Sequence, residues 1–159
     1  MLNSQKIKEL LQHFLKPISL NEPISFKTPP LQSVVLISSI NGAIISYANT
    51  DETANTSVNN LKMICLLCKD RWSEDESNLE EQSTKCCYRY QWQVDNGKPY
   101  ETRIYTYEIV ELHVVISHIP ESDLILLFTA VKDFPYGLMV LKMKHSLQSI
   151  NNLYGYKLS

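Results

Sequence analysis

Ile7, Leu10, Leu11 and Phe14 recur at the i, i+3, i+4, i+7 spacing of a single apolar stripe, which predicts a short first helix. It stops at Lys16-Pro17, because proline disfavours helical geometry in the residue before it. A polar link through Pro23, Pro29 and Pro30 leads to a different pattern. Val34-Val35-Leu36-Ile37 is an unbroken aliphatic run, as a strand buried on both faces requires, and the strand is placed over Leu31–Ser38. Asn41-Gly42 predicts a tight hairpin with both turn residues at positive φ. Ala43 to Tyr47 is the returning strand, and Ala48 to Thr56, without periodicity, is a loop.

Ser57 can cap a second helix running from Val58 to about Trp72. Beyond it, Ser73 to Thr84 reads as an acidic loop containing Glu74, Asp75, Glu76, Glu80 and Glu81, either a solvated run or a docking element. Tyr88, Tyr90 and Trp92 alternate with Arg89, Gln91 and Gln93, so this piece could add a strand before Asp95-Asn96-Gly97 turns the chain back. Thr102–Ile109 and Leu112–Ile119 are further strands, the second with His118 on the face of Val114 and Ile116. Leu124–Ala130 is a second doubly apolar strand. Pro135-Tyr136-Gly137 opens a last helix with Val140, Met143, Leu147, Ile150 and Tyr154 in one stripe, ended by Gly155.

The predicted order is α-β-β-α-β-β-β-α, an α/β (α+β) fold. The two doubly apolar strands should be neighbours at the centre of a five-stranded antiparallel sheet ordered second, first, fifth, fourth, third. Helices must then cover both faces, the first and third on one and the second on the other. A length of 159 residues suits one domain. That domain spans residues 1–159, with the acidic loop and insertion, 73–101, inside it.

The second helix has more apolar surface than one sheet can cover. At 100° per residue, Val58, Leu61, Ile64, Cys65, Cys68 and Trp72 form one stripe, and Met63, Leu66 and Leu67 lie opposite. A helix apolar on both sides must be covered on both sides. With three helices in all, the second face is expected to meet another chain, the alternative being that the acidic loop or the Tyr88–Trp92 insertion folds over it, though polar loops make poor lids.

A net charge of −2 and no clustered Lys or Arg argue against nucleic acid as the main partner. No run approaches the ~20 apolar residues of a membrane span. Position 2 is Leu and the last residues, Tyr156-Lys157-Leu158-Ser159, include no prenyl acceptor, so membrane association is expected only through a partner. Cys65-x-x-Cys68 with Cys86 and Cys87 is a poor zinc set: the first pair is inside a helix, and adjacent cysteines splay apart. A redox pair needs a helix start to lower the thiol pKa, and these two sit mid-helix. No phosphate-binding glycine loop and no H-E-x-x-H occurs, and His13, His113, His118 and His145 are scattered. No cofactor, metal or catalytic residue is therefore assigned. A thiol enzyme using Cys65 or Cys68 rests on residue type alone. A small-ligand sensor of profilin- or PAS-like appearance would need a polar-lined cavity that two apolar central strands do not offer.

Five segments carry a resemblance: Ser57-Val58-Asn59-Asn60-Leu61-Lys62-Met63, Trp72-Ser73-Glu74-Asp75-Glu76, Ile104-Tyr105-Thr106-Tyr107-Glu108, Phe134-Pro135-Tyr136-Gly137-Leu138 and Gly155-Tyr156-Lys157-Leu158. Together with the element order they resemble the roadblock (dynein light chain) fold, and more closely the roadblock-type small subunit of the fungal EGO complex, which is like animal Ragulator. The resemblance implies a scaffold and not an enzyme. It implies roadblock-type partner subunits, as homodimer or heteromer, and Rag-type GTPases that signal amino-acid sufficiency to the TOR kinase. It places the complex on the cytoplasmic face of the vacuole membrane, or on endosomes, through a lipidated companion. Roadblock domains pair through the second helix and the third-strand edge, here Val58–Trp72 and Thr102–Ile109. The implied interface is Asn59, Met63, Leu66, Leu67 and Asp70 on the helix, with Ile104, Tyr105 and Tyr107 on the strand. The segment Cys86 to Pro99 departs from the family pattern and lies beside that edge.

Overall fold

The computed structural model describes residues 3–16, 31–50, 58–78, 87–93 and 97–158. The cap assigned to Ser57, the proline link, Glu80, Glu81 and Cys86 lie outside them. The elements are α1 (Ser4–Leu15), β1 (Ser33–Ser38), β2 (Ile44–Asn49), α2 (Val58–Ser77), β3 (Cys87–Gln93), β4 (Pro99–Ile109), β5 (Leu112–His118), β6 (Leu124–Val131) and α3 (Tyr136–Ser149), followed by a 3₁₀ turn (Asn151–Leu153).

One antiparallel sheet runs β2-β1-β6-β5-β4-β3. β1 and β6 are central, as their doubly apolar sequences demand, and every residue of β1 is buried. Val34, Leu36, Leu126 and Phe128 face a core shared with α1 and α3. Val35, Ile37, Ile125 and Leu127 face a second core beneath α2. The Asn3 side chain caps α1 by accepting from the amides of Gln5 and Lys6 at 3.1 and 3.2 Å. Ile7, Leu11 and Phe14 are buried as the stripe predicted. Lys142 of α3 is also buried and donates to the Lys16 carbonyl at the carboxyl end of α1, where the helix dipole favours a cation.

The sheet has six strands, one more than the five expected. The added strand is β3, paired along its length with β4 from Cys87↔Tyr105 to Gln93↔Pro99. Aromatic packing holds it: Trp92 stacks on Tyr90 at 4.8 Å and meets Tyr100 and Tyr154 at 6.0 Å each. The insertion thus carries its own anchor to the carboxyl end of the chain.

α2 also runs past Trp72 to Ser77, so Ser73–Ser77 is helix and not acidic loop. Asp75 Oδ2 accepts from the Tyr107 hydroxyl at 2.6 Å. Glu76 accepts from the Tyr105 hydroxyl at 2.9 Å and from the Arg103 guanidinium at 3.0 Å. These carboxylates are anchors to the sheet. α3 ends earlier than its stripe suggested: Ile150 caps it, and Leu153 sits in the 3₁₀ turn. Gly155 (φ +77°) then donates to the Pro120 carbonyl at 3.0 Å, tying the chain end to the β5–β6 loop.

The hairpins differ from expectation as well. Only Gly42 of Asn41-Gly42 has positive φ, at +75°. The loop is wider than a two-residue turn, with the Gly42 amide donating to the Ser38 carbonyl and the Ser38 amide to the Ala43 carbonyl, each at 2.9 Å. The two-residue positive-φ turn lies between β4 and β5, where Val110 and Glu111 take φ of 50° and 63°. Neither residue favours the left-handed region, and such strain costs roughly 1–2 kcal/mol per residue. Replacing the pair by Asn-Gly (Val110→Asn with Glu111→Gly) is therefore expected to stabilise the fold by about 1–2 kcal/mol. The urea midpoint should rise with an unchanged slope.

His118 packs its ring against Trp72 at 5.6 Å, and its Nε2–H donates to the Ser122 carbonyl at 2.6 Å. Burial lowers its pKa below the ordinary value, outweighing the hydrogen bond that raises it. The unfolded chain then binds the proton more readily than the folded one. Stability is full above about pH 6.5 and falls as pH drops from there toward the folded pKa. His118→Gln should flatten the fall in unfolding free energy below about pH 6.5 relative to the parent, measured in denaturant titrations.

Candidate protein–protein interface

α2 is divided by its own sequence. Leu61, Ile64, Cys65 and Cys68 are buried against the sheet at 0–4% exposure, in one core with Tyr107, Val114 and Ile116. About half a turn away, Met63, Leu66 and Leu67 are 46%, 49% and 47% exposed. Asn59 and Asp70 are exposed on the same helix. The sheet-facing stripe continues in polar form, since Asp75 and Glu76 follow Trp72 at i+3 and i+4. Arg71 lays its guanidinium 4.7 Å over the Tyr107 ring. The carboxyl half of the helix is thereby held from two sides of Tyr107.

The expected interface residues separate into two sets. The five on α2 lie at the surface. Ile104, Tyr105 and Tyr107 are 0%, 1% and 2% exposed, so their side chains belong to the core and are not a contact surface. β4 is moreover an internal strand, because β3 covers the edge on which the pairing was mapped. The exposed edge at that end is β3, with Arg89 and Glu101 paired along it. Asp75, Glu76 and Arg103, which position the helix, were missed. For Asp75 and Glu76 the signal is the helical spacing from Trp72; Arg103, on β4, has no comparable local signal.

Electrostatics disfavour ionic chemistry beneath α2. Burial pushes the Cys65 thiol up to about 12, and Cys68 is raised by burial and by Cys65 beside it. Both are protonated at neutral pH and neither is a ready nucleophile. The Tyr105 and Tyr107 hydroxyls are raised by burial and by the carboxylates they donate to. His113 stacks on Tyr136 at 3.9 Å and bonds the Phe134 carbonyl through Nδ1, while His13 and His145 are exposed. Among the described residues, no group of three His, Cys, Asp or Glu side chains could hold a metal ion.

The β1–β2 loop abuts the exposed side of α2 at Gly42. A Cβ there would lie 3.2 Å from Leu66 Cδ2 and 3.5 Å from Lys69 Cβ, at a φ that side chains rarely adopt. Gly42→Ala should cost about 1–2 kcal/mol. Because the Leu66 side chain takes part of the clash, Leu66→Ala should cost less in the Gly42→Ala background than alone. A double-mutant cycle of denaturation free energies reads that coupling.

Comparison with known proteins agrees with this geometry. The family described as Protein SLM4 matches residues 1–158. Protein SLM4 of Saccharomyces cerevisiae is 47% identical over 165 residues, covering 99% of this chain and 98% of that protein. The gliding protein MglB of Thermus thermophilus superposes with a TM-score of 0.61 at 12% identity, over 94% of this chain and 89% of that one. A Roadblock/LC7 domain from Streptomyces avermitilis gives 0.56 at 13% identity, over 91% and 94%. At these identities the structural matches show the fold, which is the roadblock fold.

Proposed function

The chain belongs to the SLM4 family, and on that premise we propose that it is a non-catalytic scaffold subunit of a vacuolar EGO- or Ragulator-like complex. In this reading it pairs with other roadblock-type subunits and helps hold Rag-type GTPases for amino-acid signalling to TOR complex 1. It sits peripherally on the cytoplasmic face of the vacuole membrane, with the membrane contact supplied by a lipidated companion.

The observation that carries the reading is the outer face of α2. Met63, Leu66 and Leu67 form an exposed aliphatic row on a helix whose other side is fixed to the sheet. Completing the burial of three half-exposed side chains favours association by roughly 1 kcal/mol each. Asn59 and Asp70 supply polar groups along the same helix, as interface rims commonly do. The roadblock fold and the kinship with SLM4 support an adaptor that works by contact.

The test is sedimentation of the purified chain alone and mixed with a second roadblock-type subunit of the complex. Leu66→Asp with Leu67→Lys is expected to weaken association at least tenfold while leaving the melting temperature within a few degrees, since both side chains are already half exposed. A parent that stays strictly monomeric in both settings, or a variant that associates as before, defeats the proposal.

A further inference from the structure

The two edges of the sheet are differently equipped. β3 carries its own charge, with Arg89 paired to Glu101 across the ladder. β2, Ile44–Asn49, has no charged residue and no strand neighbour beyond β1 among the described residues. Its phase follows from Thr50, whose amide donates inward to the Gln32 carbonyl at 3.1 Å. Residues of an antiparallel pair alternate between bonding inward and facing away. Ala48 therefore turns inward, and Tyr47 and Asn49 present their N–H and C=O groups to the outside.

Cations reach this edge from the helices of both faces. Lys8 comes from α1 on one face and Lys62 from α2 on the other. Together with Ile44–Tyr47 they line one cleft of about 310 Å³. Lys8 Nζ curls over the edge to 5.8 Å from the Tyr47 ring. No carboxylate lines the cleft, and neither ammonium makes an ion pair with a described residue. Lysines on an edge strand commonly repel other strands. Here the strand itself is uncharged, and both lysines reach the one cleft beside it, where they would face side chains of an added strand.

We infer that β2 accepts an extended, acidic segment of a partner protein as a seventh strand. Main-chain bonds would form at Tyr47 and Asn49. Side chains two residues apart on a strand share a face, so two acidic residues at i and i+2 would set both carboxylates toward the cleft that holds Lys8 and Lys62. Apolar or β-branched neighbours would pack along Ile44 and Ile45. This surface borders the row on the outer face of α2 at Leu66, which lines a pocket with Ile44 and Lys62, but its use does not depend on the proposed function.

The probe is a capped ten-residue peptide with two central glutamates at i and i+2 in a background of alternating valine and threonine, titrated against the whole chain. Binding is expected by fluorescence anisotropy, with amide shifts concentrated at Tyr47 and Asn49 in heteronuclear NMR. Lys8→Glu with Lys62→Glu should weaken it at least tenfold and favour the same peptide with two lysines. Methylating alternate peptide nitrogens, which removes ladder donors without altering charge, should abolish it. Absence of binding, equal binding of the methylated peptide, or shifts centred on Met63 and Leu67 would overturn the inference. So would concentration-dependent self-association that the double charge reversal removes, since the edge would then serve a second copy. Lys8→Glu alone should leave association with a roadblock-type subunit intact, and Leu67→Asp alone, on the side of α2 away from Lys62, should leave peptide binding intact.

Discussion

The structure depends on two adjacent strands that are apolar on both faces. β1 and β6 cannot be left open to water on either side, so the sheet must be covered twice. α1 and α3 share one face; among the described residues, α2 alone serves the other. Five inter-strand spacings make the sheet roughly 24 Å across, while a helix with its side chains is roughly 10–12 Å wide. One helix cannot cover that face. The outer strands absorb the mismatch through their chemistry. On the α2 side, β3 and outer β4 carry Arg89, Gln91, Glu101 and Arg103, with Arg89 and Gln91 both bonded to Glu101. Their opposite side carries Tyr90, Trp92 and Tyr100, packed with the α1–α3 core.

Tyr105 and Tyr107 bridge the interval between helix and polar border. Their rings lie in the core, stacked at 6.0 Å, and their hydroxyls reach the carboxylates of Glu76 and Asp75. A buried hydroxyl without a partner costs about 1–3 kcal/mol, so these bonds fix the axial position of α2 as well as its distance. Non-directional packing of Leu61, Ile64, Cys65 and Cys68 would leave room for sliding; the tyrosine–carboxylate pairs remove it. The outer face of the helix is consequently presented in one place. Preorganisation of that kind lowers the ordering cost of any association made through Met63, Leu66 and Leu67.

Much of this was legible in the residues. The central strands, the three helical stripes and the surplus apolar row on α2 follow from periodicity, which depends only on local geometry. What escaped depends on partners distant in sequence. Ser73–Ser77 looked like a solvated loop because its carboxylates find their donors on β4. β3 looked optional because Trp92 is anchored by Tyr154, far along the chain. Tyr105 and Tyr107 looked available because the edge they were thought to form is covered by that same β3. The Asn41-Gly42 turn shows the converse: a strong local signal gave way because a wider loop lets Gly42 meet α2 at Leu66.

The titratable groups under α2 share a direction. The thiols of Cys65 and Cys68 and the hydroxyls of Tyr105 and Tyr107 are raised, and His118 is lowered. In every case burial is the largest cause, and in every case the neutral form is favoured at neutral pH. Acid–base and nucleophilic catalysis need the reverse, a group poised near the working pH or held in its charged, reactive form. The CxxC spacing that first suggests metal or redox chemistry is thus packing, because positions i and i+3 both face the sheet. Neutral groups in a dry interface hold a helix well and react poorly. On the proposed function, the surface of α2 that a partner meets is the side that does not touch the sheet, and what it offers is aliphatic contact.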